Sequence, residues 1–539
     1  MVIKMKKLFV VAMLLFASQV MAADYYVRDC DGNSSCGTAA GTSWTNPYDD
    51  LSTAATALKT AGRSSGGDTI WVADGTYGGV TFLVPESGTN YITIKKATTS
   101  NHGTDNGWNS SYGDGQAVFT GCVYFQTYGY VIFDGNKTSQ GTNRSGVGTY
   151  GFYVHPTSAQ YGIFLRYGPN YVKIYDTEVN MSDTTACITS SVQGIKGSSS
   201  FSDVPPNYSV LSNLKVSNFG DAISTIGENS IVEYVNFVRT TMGTNNGTGQ
   251  CGECETVVDD DGFCADADHG DAIVSSFNNV EIRYNKFNWN GQNIWYTGGY
   301  SYDNHKVYGN VFYQYDAKSG SCAAFKNSAT ATLSNIAFYN NTVYNYAYGV
   351  QLAGTSLTNI VSKNNIFINL TSYPTGADHT HDYNAADVDL SETNDQLISS
   401  SIFYNASSSD FRLLSATASG DGTIGSIYNT DMLGYQRGAD SNWDRGAYEY
   451  GGEEYTVTLT LSGTGGELSY INGEHNIVVG RAFSVTATRH NGWNGAWSGT
   501  CPSVSSCTVP DEGQSETCTQ TPTEDCTMTF TVTKKALLN

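Results

Sequence analysis

Short alternating runs of apolar and polar residues, broken by Gly, Asn, Ser and Thr, fill most of the chain before residue 450 and predict β-strands with one buried side. Helical periodicity is confined to Tyr48 to Thr60, where Leu51, Ala54, Ala57 and Leu58 fall on one face. A strand over Asp68 to Val72 and a turn at Asp74-Gly75 follow. Beyond them the strands lack hairpin spacing, so successive hairpins do not set their order.

An internal repeat supplies that order. Gly220-Asp221-Ala222-Ile223 returns as Gly270-Asp271-Ala272-Ile273, and each copy leads to a strand ending at an asparagine, Asn236 and Asn285. Asn310, Asn341 and Asn365 continue the series at intervals of 49, 25, 31 and 24 residues from Asn236. Coils of this length with Asn at one corner predict a parallel β-helix, in which stacked Asn side chains satisfy backbone groups that the bend leaves unpaired. The register predicts an inward row of Ile223, Ile273, Ile294, Phe325 and Val350. Alternation then turns Trp295, Lys326 and Gln351 outward in one column.

Composition narrows the function. Lys+Arg is 28 against Asp+Glu 50, a net charge of −22 with no basic block, which excludes nucleic acid as an expected partner. Aromatic residues at 12% exclude a disordered chain. Lys4, Lys6 and Lys7, the apolar run Leu8 to Phe16, and Val20-Met21-Ala22 read as a signal peptide over residues 1–22. No later apolar run approaches the roughly 20 residues that a membrane span needs. The 12 cysteines are therefore expected as disulfides of an exported chain, with Cys30 and Cys36 closing one loop.

The densest chemistry lies in the insertion from Cys251 to Ala272. Glu253, Glu255, Asp259, Asp260, Asp261, Asp266, Asp268 and Asp271 crowd there without a Lys or Arg. Such a loop is either a solvated acidic loop or a Ca2+ site, although its spacing is not that of an EF-hand. Asp221, Asp261, Asp266, Asp268 and Asp271 are the candidate calcium ligands. Cys251, Cys254 and Cys264 read as a disulfide pin, the third pairing with a cysteine such as Cys322, or as a zinc site completed by His269 or an Asp. His269, beside carboxylates, is a candidate general acid or base. The outward Lys326, with Trp295, Gln351 and Arg283 as substrate-binding candidates, suits an anionic sugar chain. Asp221 and Asp271 are alternatively the carboxylate pair of a glycoside hydrolase.

The opening DYYVRDCDG, TNPYDDLSTAATAL and GGDTIWVADGTYGG, with the closing DFRLL and LGYQRGADSNWDRGAYEY, resembles secreted right-handed parallel β-helix proteins of the pectate lyase superfamily over roughly residues 24 to 450. AAFKNS and SNIAFYNNTV further resemble the segment around the catalytic lysine of family nine pectate lyases, and Asp261-Gly262-Phe263 is similar to their calcium-ligand segment. That resemblance implies Lys326 as base of a calcium-dependent β-elimination on acidic polysaccharide. The coil Asn290 to Tyr296 departs from the pattern, lacking the paired aspartates expected before the lysine.

Residues 453–539 resemble small secreted β-repeat modules of bacterial surface enzymes, a likeness that pairs Cys501 with Cys507. Cys518 and Cys526 flank a polar loop as a possible second pair, and Trp493 and Trp497 are read as core or, alternatively, as carbohydrate contacts. The expectation is an all-β, monomeric, secreted protein: a signal peptide, a right-handed parallel β-helix over 23–452 and a disulfide-stapled module. A non-catalytic adhesin on the same fold is the other class of function.

Overall fold

A computed structural model describes residues 22–535, apart from 31–39, 65–66, 137–149, 157–160, 181–192, 198–203, 239–270, 289–291, 315–322, 355, 375–378, 452–453, 471, 479–482 and 523. The signal segment, all but its last residue, and the acidic insertion up to Gly270 lie outside the described residues. Three parallel sheets dominate, of nine, thirteen and twelve strands among the described residues. The chain visits them in turn. Asp221–Ile226 belongs to the nine-stranded sheet, Ile231–Glu233 to the thirteen-stranded and Asn236–Val238 to the twelve-stranded, and Asp271–Ser276, Glu281–Arg283 and Lys286–Asn288 repeat the circuit one coil later. The fold is a parallel β-helix, as the repeat predicts, and right-handed, as the resemblance implies.

Ile223, Ile273, Ile294, Phe325 and Val350 are in register, and all belong to the buried core. Aromatic rungs fill the coil interior beside them. Phe237, Phe287 and Phe312 stack at 4.7 and 4.5 Å between ring centroids.

The asparagine corner is a buried ladder. Asn285, Asn310, Asn341, Asn365 and Asn384 are each 0% exposed. The backbone N–H of each donates to the side-chain oxygen of the next, at 2.9, 3.0, 2.8 and 3.0 Å. Each side-chain amide donates to a carbonyl of a preceding strand, as Asn310 Nδ2 does to Ile282 at 2.8 Å. Glu392 ends the ladder, its two carboxylate oxygens accepting from Asn384 Nδ2 and N at 2.8 and 2.9 Å. Asn236 is not a rung. It aligns with Lys286, and the corner position of its coil is Val235, whose N–H donates to Asn285 Oδ1. The residue before each rung is left-handed: Tyr284, Gly309, Asn340, Asn364 and Tyr383 have φ of 53° to 65°. Asn and Gly tolerate that bend, which accounts for the paired Asn340-Asn341 and Asn364-Asn365.

At the amino end, the helix spans Leu51–Ala61 rather than starting at Tyr48. Asp50 caps it through Thr53 N at 2.7 Å, while the Tyr48 backbone is bonded to Tyr26 and Arg28. Its buried face is Leu51, Ala54, Ala55 and Leu58, with Ala55 in place of the expected Ala57. The turn expected at Asp74-Gly75 is a bend at Asp74 between the strands Asp68–Val72 and Gly75–Tyr77.

After the last coils the chain folds back on the outside of the solenoid. Phe403, Phe411, Tyr428, Met432 and Tyr448 pack on Tyr284, Tyr308, Val311 and Tyr313. Buried Arg437 ties this segment together through the carbonyls of Asp444 and Gly446, both at 2.8 Å, and Arg445 donates to the Asn384 carbonyl at 2.8 Å. This covering closes part of the corner and the outer face of the twelve-stranded sheet.

The terminal module has a four-stranded and a three-stranded sheet around its own core. Its disulfides are nested, Cys501–Cys526 and Cys507–Cys518, and replace the expected Cys501–Cys507 and Cys518–Cys526 pairs. The reason is pairing: Trp493–Gly499 runs antiparallel to Cys526–Lys534, which brings Cys501 opposite Cys526. Trp497 is buried in the core at 8% exposure and Trp493 packs against it. Cys30 is also disulfide-bonded, and its expected partner Cys36 lies outside the described residues.

Candidate functional site

The outer face of the nine-stranded sheet carries the candidate chemistry. From Tyr161–Arg166 onward its strands open with an outward residue followed by two inward ones, whereas Val80–Phe82 and Val123–Gln126 start at the second inward position. Ala222 with Ile223, Ala272 with Ile273, and Ala324 with Phe325 all belong to the core, which leaves Asp221 and Ser224 both facing outward. At Gly194 the first inward position is confined, since a Cβ there would stand 2.5 Å from the Ala222 carbonyl oxygen.

Two outward columns result. One runs Gln193, Asp221, Asp271 and Gln292, and the other Lys196, Ser224, Val274, Trp295, Lys326 and Gln351. Gln193 crosslinks them, donating from Nε2 to Asp221 Oδ2 at 2.9 Å and accepting from Ser224 Oγ at 3.0 Å. Lys326 Nζ lies 5.6 Å from the centroid of the Trp295 ring, within cation–π range. Asp221 and Asp271 are register partners on adjacent coils, about 4.8 Å apart at the backbone. Asp271 is 5% and Gln292 1% exposed, so the first column is nearly closed to solvent at those coils. Neither amide atom of Gln292, nor the amide oxygen of Gln351, finds a hydrogen-bond partner among the described residues.

Of the residues singled out from the sequence, Trp295, Lys326, Gln351, Asp221 and Asp271 therefore share one face. Arg283 does not. It lies on the thirteen-stranded sheet, where Glu233 on the preceding coil and Glu281 each accept from it at 2.9 Å, and it donates to Tyr308 at 2.9 Å. The adjacent coil sets Glu233 opposite Arg283, so an ion pair consumes the charge offered to substrate. His269, Asp261, Asp266 and Asp268, with Cys251, Cys254, Cys264 and Cys322, lie outside the described residues.

As for calcium, no group of three or more His, Cys, Asp and Glu converges to hold a metal among the described residues. Asp221 and Asp271 supply two hard oxygen donors of the six to eight that Ca2+ takes, and by themselves they do not complete a site.

Lys196 was missed in reading the sequence. It stands in the lysine column, over the ring of Tyr161 at 5.2 Å, and burial pushes its pKa below the usual lysine value while the charge of Asp221 opposes that shift. Gln193-Gly194-Ile195-Lys196 is the same repeat one coil before Asp221-Ala222-Ile223-Ser224. Its signal was the small residue before an inward Ile, Gly194-Ile195 matching Ala222-Ile223 and Ala272-Ile273, hidden by Gln in place of Asp.

No family model and no curated relative matches the chain. Among solved structures it is similar to pectate lyase Pel9A, with 15% identity over 80% of this chain and 98% of that chain and a TM-score of 0.45. It is also similar to the PL6 family alginate lyase AlyGC, with 13% identity over 70% of this chain and 53% of that chain and a TM-score of 0.35.

Proposed function

We propose that this protein cleaves acidic, uronate-containing polysaccharide by β-elimination, outside the cell that makes it. The observation that carries the proposal is the outward column of Trp295, Lys326 and Gln351 on the same face as the Asp221 and Asp271 pair. A face that repeats coil by coil suits a substrate that repeats sugar by sugar, and an aromatic ring, a basic amine and an amide suit a uronate sugar.

Lys326, as the neutral amine, takes the proton from C5 of the uronate. The electron pair left behind forms the C4–C5 double bond, and the glycosidic C4–O bond breaks. The departing oxygen then takes a proton from solvent. Trp295 stacks the sugar and Gln351 orients it by its amide. Calcium belongs to the proposal as cofactor, its ligands being Asp221, Asp271 and the Asp261, Asp266 and Asp268 segment. Bound there, it would neutralise the substrate carboxylate and make the C5 proton more acidic. His269 is the alternative proton-transfer group in this proposal.

The pair of in-register carboxylates supports a second reading, glycoside hydrolysis with Asp221 and Asp271 as acid and base or nucleophile. Incubation with pectate, alginate and hyaluronate in the presence of Ca2+ separates them. Elimination produces the ultraviolet absorbance of unsaturated uronates and Lys326→Ala abolishes it. Unchanged absorbance in that variant would refute Lys326 as the base.

A further inference from the structure

We infer that Lys196, Tyr161 and Gln193 form a second anionic-sugar subsite, distant from Lys326 on the same face, so that the protein holds an extended acidic chain at two points. The inference rests on the proposed substrate class and adds to it a place where the chain is gripped without being cut.

Lys196 and Lys326 occupy the same outward column, separated by the rungs of Ser224, Val274 and Trp295. Four steps at roughly 4.8 Å per rung separate them by about 19 Å. The two lysines are built alike. Each amine faces an aromatic ring on its neighbouring coil, Tyr161 at 5.2 Å for Lys196 and Trp295 at 5.6 Å for Lys326. Between them the column carries Ser224, Val274 and Trp295, all uncharged, with Ser224 and Val274 buried at 3% and 9% exposure, so the two lysines are separate points of contact.

The aromatic surface continues away from Lys326. Tyr161 packs on Phe164 at 4.8 Å between centroids, and Phe164 on Tyr124 at 5.8 Å. Phe164 is buried at 5% exposure and supports its neighbours, so the ring surface offered to sugar faces is that of half-buried Tyr161 and Tyr124. Lys196 makes no hydrogen bond and no ion pair with any described residue, although it is half-buried. A half-buried ammonium without an acceptor gains most from an arriving carboxylate, because part of its desolvation is already complete. Gln193 is held on both sides by Asp221 and Ser224, so its amide is fixed beside the lysine and acts as a positioning residue. Two lysines about 19 Å apart on one face suit a linear polymer with repeating carboxylates, which can reach both, better than a compact ligand.

The test uses the full chain and measures binding to polygalacturonate, alginate and hyaluronate by titration calorimetry, with neutral dextran as control. Lys196→Gln should weaken binding of the acidic polymer roughly tenfold. Tyr161→Ala should weaken it in the same direction, and Lys196→Arg should retain it. In turnover assays Lys196→Gln should raise KM for polymer and leave kcat and the cleavage of short oligomers unchanged, a split that a merely structural role would not give. Wild-type affinity in Lys196→Gln, or equal loss for polymer and short oligomers, overturns the subsite while leaving cleavage at Lys326 standing. Loss of turnover in Lys326→Ala, with the tenfold effect of Lys196→Gln on binding preserved, supports both. A wild-type chain that binds none of the acidic polymers overturns the subsite and the proposed function together.

Discussion

Replacing Asn310 by alanine should remove about 4 kcal/mol of stability. The side chain is fully buried and makes four hydrogen bonds: its oxygen accepts from Asn285 N at 2.9 Å and Asn285 Nδ2 at 3.0 Å, and its amide donates to Ile282 O at 2.8 Å and Asn341 Oδ1 at 3.0 Å. Alanine leaves the Asn285 backbone N–H without its acceptor, a buried orphan worth ~1–3 kcal/mol, and three further bonds lose ~0.5–1.5 kcal/mol each. The comparison variant is Asn304→Gly. Asn304 is also in a column of asparagines, donating to Asn279 Oδ1 at 2.8 Å, but it is exposed and sits at φ 55°, where glycine is at ease. Its loss should shift stability by less than ~0.5 kcal/mol. Urea unfolding followed by far-ultraviolet circular dichroism measures both. Equal, small shifts in the two variants would refute the claim that the buried ladder, and not asparagine at corners in general, holds the coils in register.

Other consequences follow from particular groups. His305 is fully buried, bonded through Nδ1 to the Tyr296 hydroxyl at 2.7 Å, and burial lowers its pKa to about 4. The unfolded chain binds the proton first, so its contribution to stability, about 3 kcal/mol, is present above the unfolded value of roughly 6.5 and is lost as pH falls towards 4. His305→Gln should flatten that part of the stability profile measured by unfolding between pH 7 and 4. In the terminal module, peptide mapping of the unreduced chain should link Cys501 to Cys526 and Cys507 to Cys518, and sequential linkage would contradict the observed strand pairing. Double replacement of Cys501 and Cys526 by Ala should cost about 3 kcal/mol, read from thermal unfolding. Arg283→Ala should lower stability by breaking the Glu233 and Glu281 pairs and leave polymer binding unchanged, which calorimetry would show.

Much of the solenoid was legible because its repeat carries two independent signals. The inward row from Ile223 to Val350 follows from strand alternation, and the corner from Asn spacing. Where the two disagreed, the offset could be read: Asn285, Asn310, Asn341 and Asn365 each have the inward apolar residue two positions on, Phe287, Phe312, Val343 and Phe367, whereas Asn236 is followed at once by Phe237. Asn236 is therefore one residue too late to be a rung. Arg283 was not legible as structural, because its partner Glu233 is 50 residues away and only coil stacking brings them together. The nested disulfides were hidden for the same reason, since strand order in the module, and not cysteine spacing, decides which sulfurs meet. The outward Asp221 resisted simple alternation because two successive inward residues, Ala222 and Ile223, shift the period.

Cleavage by elimination is tested most directly by digesting an acidic polysaccharide in water enriched in oxygen-18 and weighing the products. Elimination makes the new non-reducing end by losing a proton and breaking C4–O, so no oxygen from water enters during the cleavage step. The protein should release unsaturated oligomers whose only label is that exchanged slowly into reducing ends, at the same level as in oligomers incubated without it. Saturated products carrying one water oxygen per bond broken would contradict elimination and make Asp221 and Asp271, not Lys326, the residues to study.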